Sequence, residues 1–237
     1  MKPLKIGITG VRGVVGETLT PELIVEFASA FGSYLGTGKV LVGRDTRPSG
    51  PMASAAVCAG LLATGLEVID LGICPTPSLQ LAVRKLGAAG GISITGGHNP
   101  SQWNALKFVR SDGLYLNGTQ AEELLDIYHQ GEFEKASWDS IYPAISQYNA
   151  IPNHIAALSA AIDLASIKSR NLVVAVDCCN GAGALLSPVW LEEMGCRVLA
   201  INDDPSAPFP HNPEPKPAAM AQPSDSTMDS GTPSTTK

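Results

Sequence analysis

Positive charge is scarce in this sequence. Sixteen lysines and arginines stand against 22 aspartates and glutamates in 237 residues, a formal net charge of −6, and the basic residues form no run. Affinity for a nucleic-acid backbone grows with the number of phosphates that Lys and Arg neutralise, so this balance argues against a nucleic-acid partner. An anionic ligand would have to be caught by a local site. Long apolar runs are missing as well. No segment approaches the roughly eighteen uninterrupted apolar residues of a membrane-spanning helix, and no apolar signal core follows basic residues at the N-terminus. The expected location is the cytoplasm, with no membrane partner. The five cysteines (Cys58, Cys74, Cys178, Cys179, Cys196) include no CxxC pair and have no histidine at zinc spacing, so they are expected to be small buried residues in a reducing compartment. From Glu214 onward no aromatic or branched aliphatic residue occurs. Such a stretch cannot offset its ordering entropy by burial, and residues 214–237 are expected to be a disordered tail.

What remains is rich in core-forming residues. With 44% hydrophobic residues and 24 glycines, the composition fits a soluble α/β protein large enough to bury a real core. After an opening strand at residues 4–9 comes "LTPELIVEFASAFGSYLGTG". Thr20 suits an N-cap, Pro21 the first helical position, and Leu23, Ile24, Phe27, Phe31, Tyr34 and Leu35 recur at helical spacing. Strands are then expected at "KVLVG", "LEVIDLG" and "AAGGISIT", alternating with helices at "SGPMASAAVCAGLLATG" and "TPSLQLAVRKLG"; the helix "TQAEELLDIYHQ" closes this first unit. Alternation of this kind implies right-handed crossovers and a mixed, mostly parallel sheet with helices on both faces. Residues 136–150 show no period and are expected to be a linker. A second α/β alternation follows over residues 151–213, with helices at residues 151–168 and 183–195 and strands at "NLVVAVD" and "CRVLAIN". It is thin for a domain.

Four polar, glycine-bearing loops follow expected strands: "GITGVRG", "GRDTRPSG", "TGGHNPSQWNALK" and "DCCNGAGA". Ligands in open α/β sheets bind beyond the carboxyl ends of strands. Glycines there let backbone N–H groups approach an anion, and Arg12, Arg44, Arg47 and Lys107 offer charge to phosphate oxygens. The first loop alone also fits the nucleotide-binding turn of short-chain dehydrogenases. Against that stands the delay of the helix until Thr20 and the lack of any Tyr-x-x-x-Lys pair.

Taken in order, "GITGVRG", "GRDTRPSG", "ITGGHNPSQWNALK", "VDCCNGAGA" and "FPHNPEP" resemble the α-D-phosphohexomutase family, the family of phosphoglucomutase, phosphomannomutase and phosphoglucosamine mutase. The resemblance covers nearly everything up to Pro215. It implies an intramolecular phosphotransferase, an isomerase of carbohydrate metabolism, that moves a phosphoryl group between positions of a hexose phosphate through a phosphoserine with bound Mg²⁺. Residue by residue, Thr95, His98, Asn99, Pro100, Asn104 and Lys107 match the family's core motif, and the carrier serine falls on Gly97. The resemblance further implies that Arg12 contacts the phosphoserine and that Lys107 neutralises phosphate or moves a proton. Phosphate binding is expected from Thr95, Asn99, Asn104, Arg44 and Arg47; His98 fits either catalysis or loop capping.

Two departures matter. A ping-pong carrier needs a nucleophilic side chain, and glycine has no oxygen; Thr95, Ser93 and Ser101 are the neighbouring hydroxyls. The family's Asp-Gly-Asp-x-Asp-Arg metal loop is not found either. Asp177 and the Asp203–Asp204 pair lack the converging partners Mg²⁺ demands, so no residue here is expected to bind metal. The expectation is a truncated, weakly active or inactive phosphohexomutase homologue, with a non-catalytic phosphosugar-binding or interaction module as the alternative.

Overall fold

The structure is a computed structural model that describes residues 4–7 and 10–216, so most of the tail expected to be disordered lies outside the described residues. The chain opens as two short strands, β1 (Lys5–Gly7) and β2 (Gly10–Val14), paired antiparallel with Gly7 opposite Gly10. One strand had been expected. Gly10 sets the difference: its φ is +116°, and a Cβ there would lie 1.9 Å from the Leu106 carbonyl oxygen. A side chain at residue 10 would push β2 off its neighbour.

Helix α1 (Pro21–Leu35) starts as its sequence dictates. Thr20 Oγ1 accepts from the Leu23 N–H at 3.3 Å, Pro21 follows, and Gly36 ends the helix at φ +76°. Its inner face buries Ile24, Phe27, Ala28 and Phe31. Full burial of each phenylalanine contributes about 2–3 kcal/mol. Next come β3 (Lys39–Arg44), α2 (Gly50–Ala63), β4 (Glu67–Ile73), α3 (Thr76–Leu86) and β5 (Gly90–Ile94). Gly60 lets α2 lie close on α1, since a Cβ there would meet the Val25 carbonyl oxygen at 2.7 Å. Strand β6 (Trp103–Arg110) then runs antiparallel between β5 and β2. Helix α4 (Gly118–Gln130) closes the unit behind a capping box of Asn117 and Gln120.

Residues 136–150, expected as a linker, carry β7 (Ser146–Gln147), which pairs parallel with β4. The sheet order is β1-β2-β6-β5-β3-β4-β7. It is mixed, as expected, but the parallel pairings are confined to β5-β3-β4-β7, and the half containing the unforeseen β6 is antiparallel. One core gathers Phe27, Phe31, Val57, Leu61, Ile92 and Phe108 under α1, α2 and α4. A second gathers Leu41, Leu79, Val83 and Val109 beneath α3 on the opposite face. Helices therefore cover both faces. Cys58 and Cys74 sit in these cores, where burial, with Asp70 adding, pushes their thiols up to about 11 and about 12. Both stay protonated.

The second unit differs from expectation in how its helices break. Asp163 accepts from the Ser166 N–H and splits the first into α5 (Ile151–Ala160) and α6 (Leu164–Lys168). Strand β8 (Val173–Asp177) leads to a 3-10 turn (Ala182–Leu185) and α7 (Ser187–Glu193), with Pro188 in its first turn. Strand β9 (Arg197–Ile201) pairs parallel with β8. A buried hydrogen bond between Ser78 Oγ and His154 Nδ1, 2.8 Å, ties α3 to α5. No helix among the described residues is long and apolar enough to cross a membrane.

Candidate functional site

The pleat of β6 and its two neighbours assembles the site. Arg12 lies opposite Ala105 and Ser93 opposite Lys107, so the side chains of Arg12 and Lys107 leave the same face of the sheet. Beside them the chain leaves β5 at Ile94 and loops over residues 95–102 before entering β6. The result is a cavity of about 260 Å³ lined by Lys5, Arg12, Thr95, Gly97, His98, Asn99, Lys107 and Tyr115, among others. Among the described residues no carboxylate lines it. Arg12 stacks 5.9 Å above the Trp103 ring, and Lys107 Nζ lies 5.9 Å from the centre of the Tyr115 ring.

The charges of Arg12 and Lys107 repel one another. Burial lowers the pKa of Lys107, the Arg12 charge lowers it further, and Asp45 opposes both. The native state thus holds the Lys107 proton less firmly than the unfolded chain does. That penalty is complete below the native pKa and disappears as pH rises through it towards the unfolded value. Lys107→Met is expected to melt at a higher Tm than the wild type at neutral pH, with the gap narrowing as the pH approaches about 10. The same substitution should weaken inorganic-phosphate binding about 10- to 100-fold by isothermal titration. Equal affinity in the two proteins would place the anion elsewhere.

Gly97 sits at the mouth of the cavity with φ +58°, and nothing lies within 4 Å of where its Cβ would be. The neighbouring hydroxyls are committed. Thr95 Oγ1 donates to Asp45 Oδ2 at 2.7 Å and accepts from the Gly97 N–H at 3.1 Å. Ser93 is buried against Thr76, with 2.8 Å between their hydroxyl oxygens. Ser101 is exposed and does not line the cavity. Asn99 Nδ2 closes the loop by donating to the Gly96 carbonyl at 2.5 Å, and His98 is exposed at the lip.

Three residues expected to bind phosphate take other places. Arg47 is fully buried and has every N–H donor engaged by protein. Its Nε donates to Asp45 Oδ2 (2.9 Å), Nη1 to the carbonyls of Pro100 (2.7 Å) and Trp103 (3.0 Å), and Nη2 to those of Gly97 and Asn99 (both 2.7 Å). It holds the loop from beneath and has nothing left for a ligand. Asn104 is buried; it donates to Ser49 Oγ at 3.0 Å and accepts from the Ala105 N–H. Arg44 lies outside the cavity lining, and its Nη1 donates to the Asp45 carbonyl at 3.3 Å. Lys5 and Tyr115 line the cavity without having been expected there. The pairing of Lys5 with Arg12 across β1 and β2 would have exposed the first, had the hairpin been recognised. Tyr115 arrives through a bridge to Val109 that no local signal marks.

The loop after β8 serves the second unit. Burial alone would raise the pKa of Asp177, but hydrogen bonds from Asn202 Nδ2, the Cys179 N–H and His211 hold it low. His211 is raised by the Asn212 carbonyl and by Asp177, whose Oδ2 is 2.7 Å from its Nε2. Cys179 and Cys196 are half-buried, more open than the core position expected of them. Among the described residues no group of three His, Cys, Asp or Glu side chains is placed to hold a metal ion. Both carboxylate oxygens of Asp45 accept hydrogen bonds, Oδ1 from the Arg47 backbone N–H and Oδ2 from Arg47 Nε and Thr95, and both of Asp177 are engaged by the bonds above. These residues do not fit the Mg²⁺ that the family resemblance implies.

The comparisons with known proteins converge on one family. The description "Phosphoglucomutase/phosphomannomutase, alpha/beta/alpha domain I" matches residues 3–135, and the corresponding domain II description matches residues 152–233. The chain is 41% identical over 212 residues to a Methanopyrus kandleri protein named "Probable phosphoglucosamine mutase", covering 89% of this chain and 46% of that one. It is also 41% identical over 211 residues to a Thermococcus kodakarensis protein named "Phosphopentomutase", covering 89% and 45%. A crystal structure of a phosphoglucomutase/phosphomannomutase family protein from Burkholderia thailandensis superposes with a TM-score of 0.76 at 29% identity, over 91% of this chain and 48% of that one. The chain spans about half the length of the curated relatives it matches. With the domain I description matching more than half of its residues and the domain II description matching after it, the chain belongs to the phosphoglucomutase/phosphomannomutase family.

Proposed function

We propose that the cavity recognises the phosphate of a hexose phosphate, such as a glucosamine, mannose or glucose phosphate, in the phosphotransfer reaction of the family. We further propose that this chain alone binds such a ligand with little or no turnover. One observation carries both parts. The cavity presents Arg12 and Lys107 with no carboxylate, yet the residue at its mouth, Gly97, has no oxygen to receive a phosphoryl group, and Thr95 and Ser93 are locked by other bonds. Phosphoryl transfer requires positioning and charge neutralisation, which the cavity supplies, and a carrier, which it does not. The Thermococcus relative favours a pentose phosphate as a second ligand class.

Differential scanning fluorimetry with each sugar phosphate tests binding, since a ligand held by the native state alone raises Tm with concentration. Coupled assays with glucosamine 6-phosphate, mannose 6-phosphate and glucose 6-phosphate should give no rate above background. Intact-mass and phosphopeptide measurement should find no covalent phosphate between Ser93 and Ser101. A stoichiometric phosphate on Thr95, or turnover abolished by Lys107→Met, would refute the non-catalytic part.

A further inference from the structure

Three of the chain's motif loops meet at one guanidinium. The inner face of Arg47 carries Gly96, where a Cβ would fall 2.6 Å from Cζ, so that residue must be glycine for the loop to lie flat on the arginine. Phe209 packs on the same guanidinium, its ring centre 5.2 Å from Cζ. Phe209 belongs to the second unit, and its segment is anchored on both sides. Asn180 Nδ2 donates to the Pro208 carbonyl at 2.7 Å, and His211 is held by Asp177. Cys179, in the same loop, lies near enough to Arg47 to feel its charge. A guanidinium packed against a backbone and an aromatic ring keeps its donors in one plane, and here those donors grip the carbonyls of Gly97, Asn99, Pro100 and Trp103.

We propose that Phe209 is a positioning residue: by covering Arg47 it fixes the loop that sets Gly97 and His98 at the cavity, so the shape of the anion site depends on the docking of the second unit. For its effect on affinity this rests on the cavity being the phosphate site; for its effect on the loop it does not. Phe209 is half-buried, so Phe209→Ala is expected to fold. Hydrogen exchange followed at the Asn99 and Trp103 amides, which bond to the carbonyls of Gly96 and Pro100, provides the readout. Exchange there should accelerate about tenfold, the effect of losing one desolvated cation–π contact. The amides of β3 and β5 should keep their wild-type rates. Phe209→Tyr should restore slow exchange, and Phe209→Leu, which keeps cover without a π face, should fall between.

Unchanged exchange at Asn99 and Trp103 in Phe209→Ala would overturn the proposal. So would equal acceleration throughout the first unit, the sign of a merely structural role. In parallel, the Kd for inorganic phosphate should rise about threefold or more in Phe209→Ala and return in Phe209→Tyr. If the wild type binds no phosphate, the reading of the cavity fails, and the exchange data still decide the role of Phe209.

Discussion

Replacing Arg47 by methionine is expected to lower the Tm by roughly 10 °C or more, measured by circular dichroism at 222 nm. The substitution keeps an apolar stem of similar reach and deletes five hydrogen bonds at once. Four loop carbonyls lose their donors, and the Asp45 carboxylate is left with the Arg47 backbone N–H and the Thr95 hydroxyl as partners. Removing one member of a buried charge pair costs about 3–5 kcal/mol, because the other charge stays behind uncompensated. In a chain of this size each kcal/mol moves the Tm by about 2–4 °C, which gives the expected fall. Arg47→Lys should recover little of it. An ammonium donates three hydrogen bonds from a single point and cannot span carbonyls that the planar fork reaches on two sides. The double variant Asp45→Asn/Arg47→Met should melt above Arg47→Met, since it relieves the isolated carboxylate. A single variant that melts with the wild type would mean the five bonds are not formed in solution.

That result also bears on what a sequence can reveal. Arg44 and Arg47 share a loop of the kind that binds phosphate, and charge beside glycine looks the same whether the side chain faces a ligand or the protein. What separates them is the loop of residues 95–103, about fifty positions away, whose carbonyls converge on Arg47. Elements with local signals were legible. Helix α1 announces itself by Thr20, Pro21 and a helical stripe of apolar residues. Strand β6 does not. Its burial pattern keeps Asn104, Ala105 and Leu106 inside in succession, so it lacks the alternation that marks a half-buried strand. The β1–β2 pairing depends on Gly10 lying against Leu106, a contact made across the sheet. Within the site, Arg12, Gly97, His98 and Lys107 were named from the motifs and do meet in one cavity. Arg44, Arg47 and Asn104 were named on the same grounds and lie outside its lining. Motif identity locates the neighbourhood, whereas burial, fixed by distant chain, decides which of its members face the cavity.

Gly97→Ser should give the proposed phosphate site a residue that can be phosphorylated. The space is open, because nothing lies within 4 Å of the new Cβ. The cost is conformational: at φ +58° an L residue is disfavoured by about 1–2 kcal/mol, so the Tm should fall by only a few degrees. In return a hydroxyl enters the mouth of a cavity where Arg12 and Lys107 offer positive charge to phosphoryl oxygens. With a hexose bisphosphate as donor, one P–O bond to the sugar breaks as the bond to the residue-97 hydroxyl forms. The hydroxyl proton passes to the departing sugar oxygen, leaving a hexose monophosphate. Intact mass should rise by one phosphate in Gly97→Ser and not in the wild type, and the label should map to the peptide containing residue 97. Adding Lys107→Met should slow labelling by about tenfold or more, the usual effect of losing one charge-neutralising group at the transferring phosphoryl. If Gly97→Ser folds, binds inorganic phosphate and still takes no label, then the missing oxygen is not what separates this site from catalysis. The deficit would then lie in how the phosphoryl donor is presented to the cavity, a task for groups other than Arg12, Lys107 and the loop that Arg47 holds.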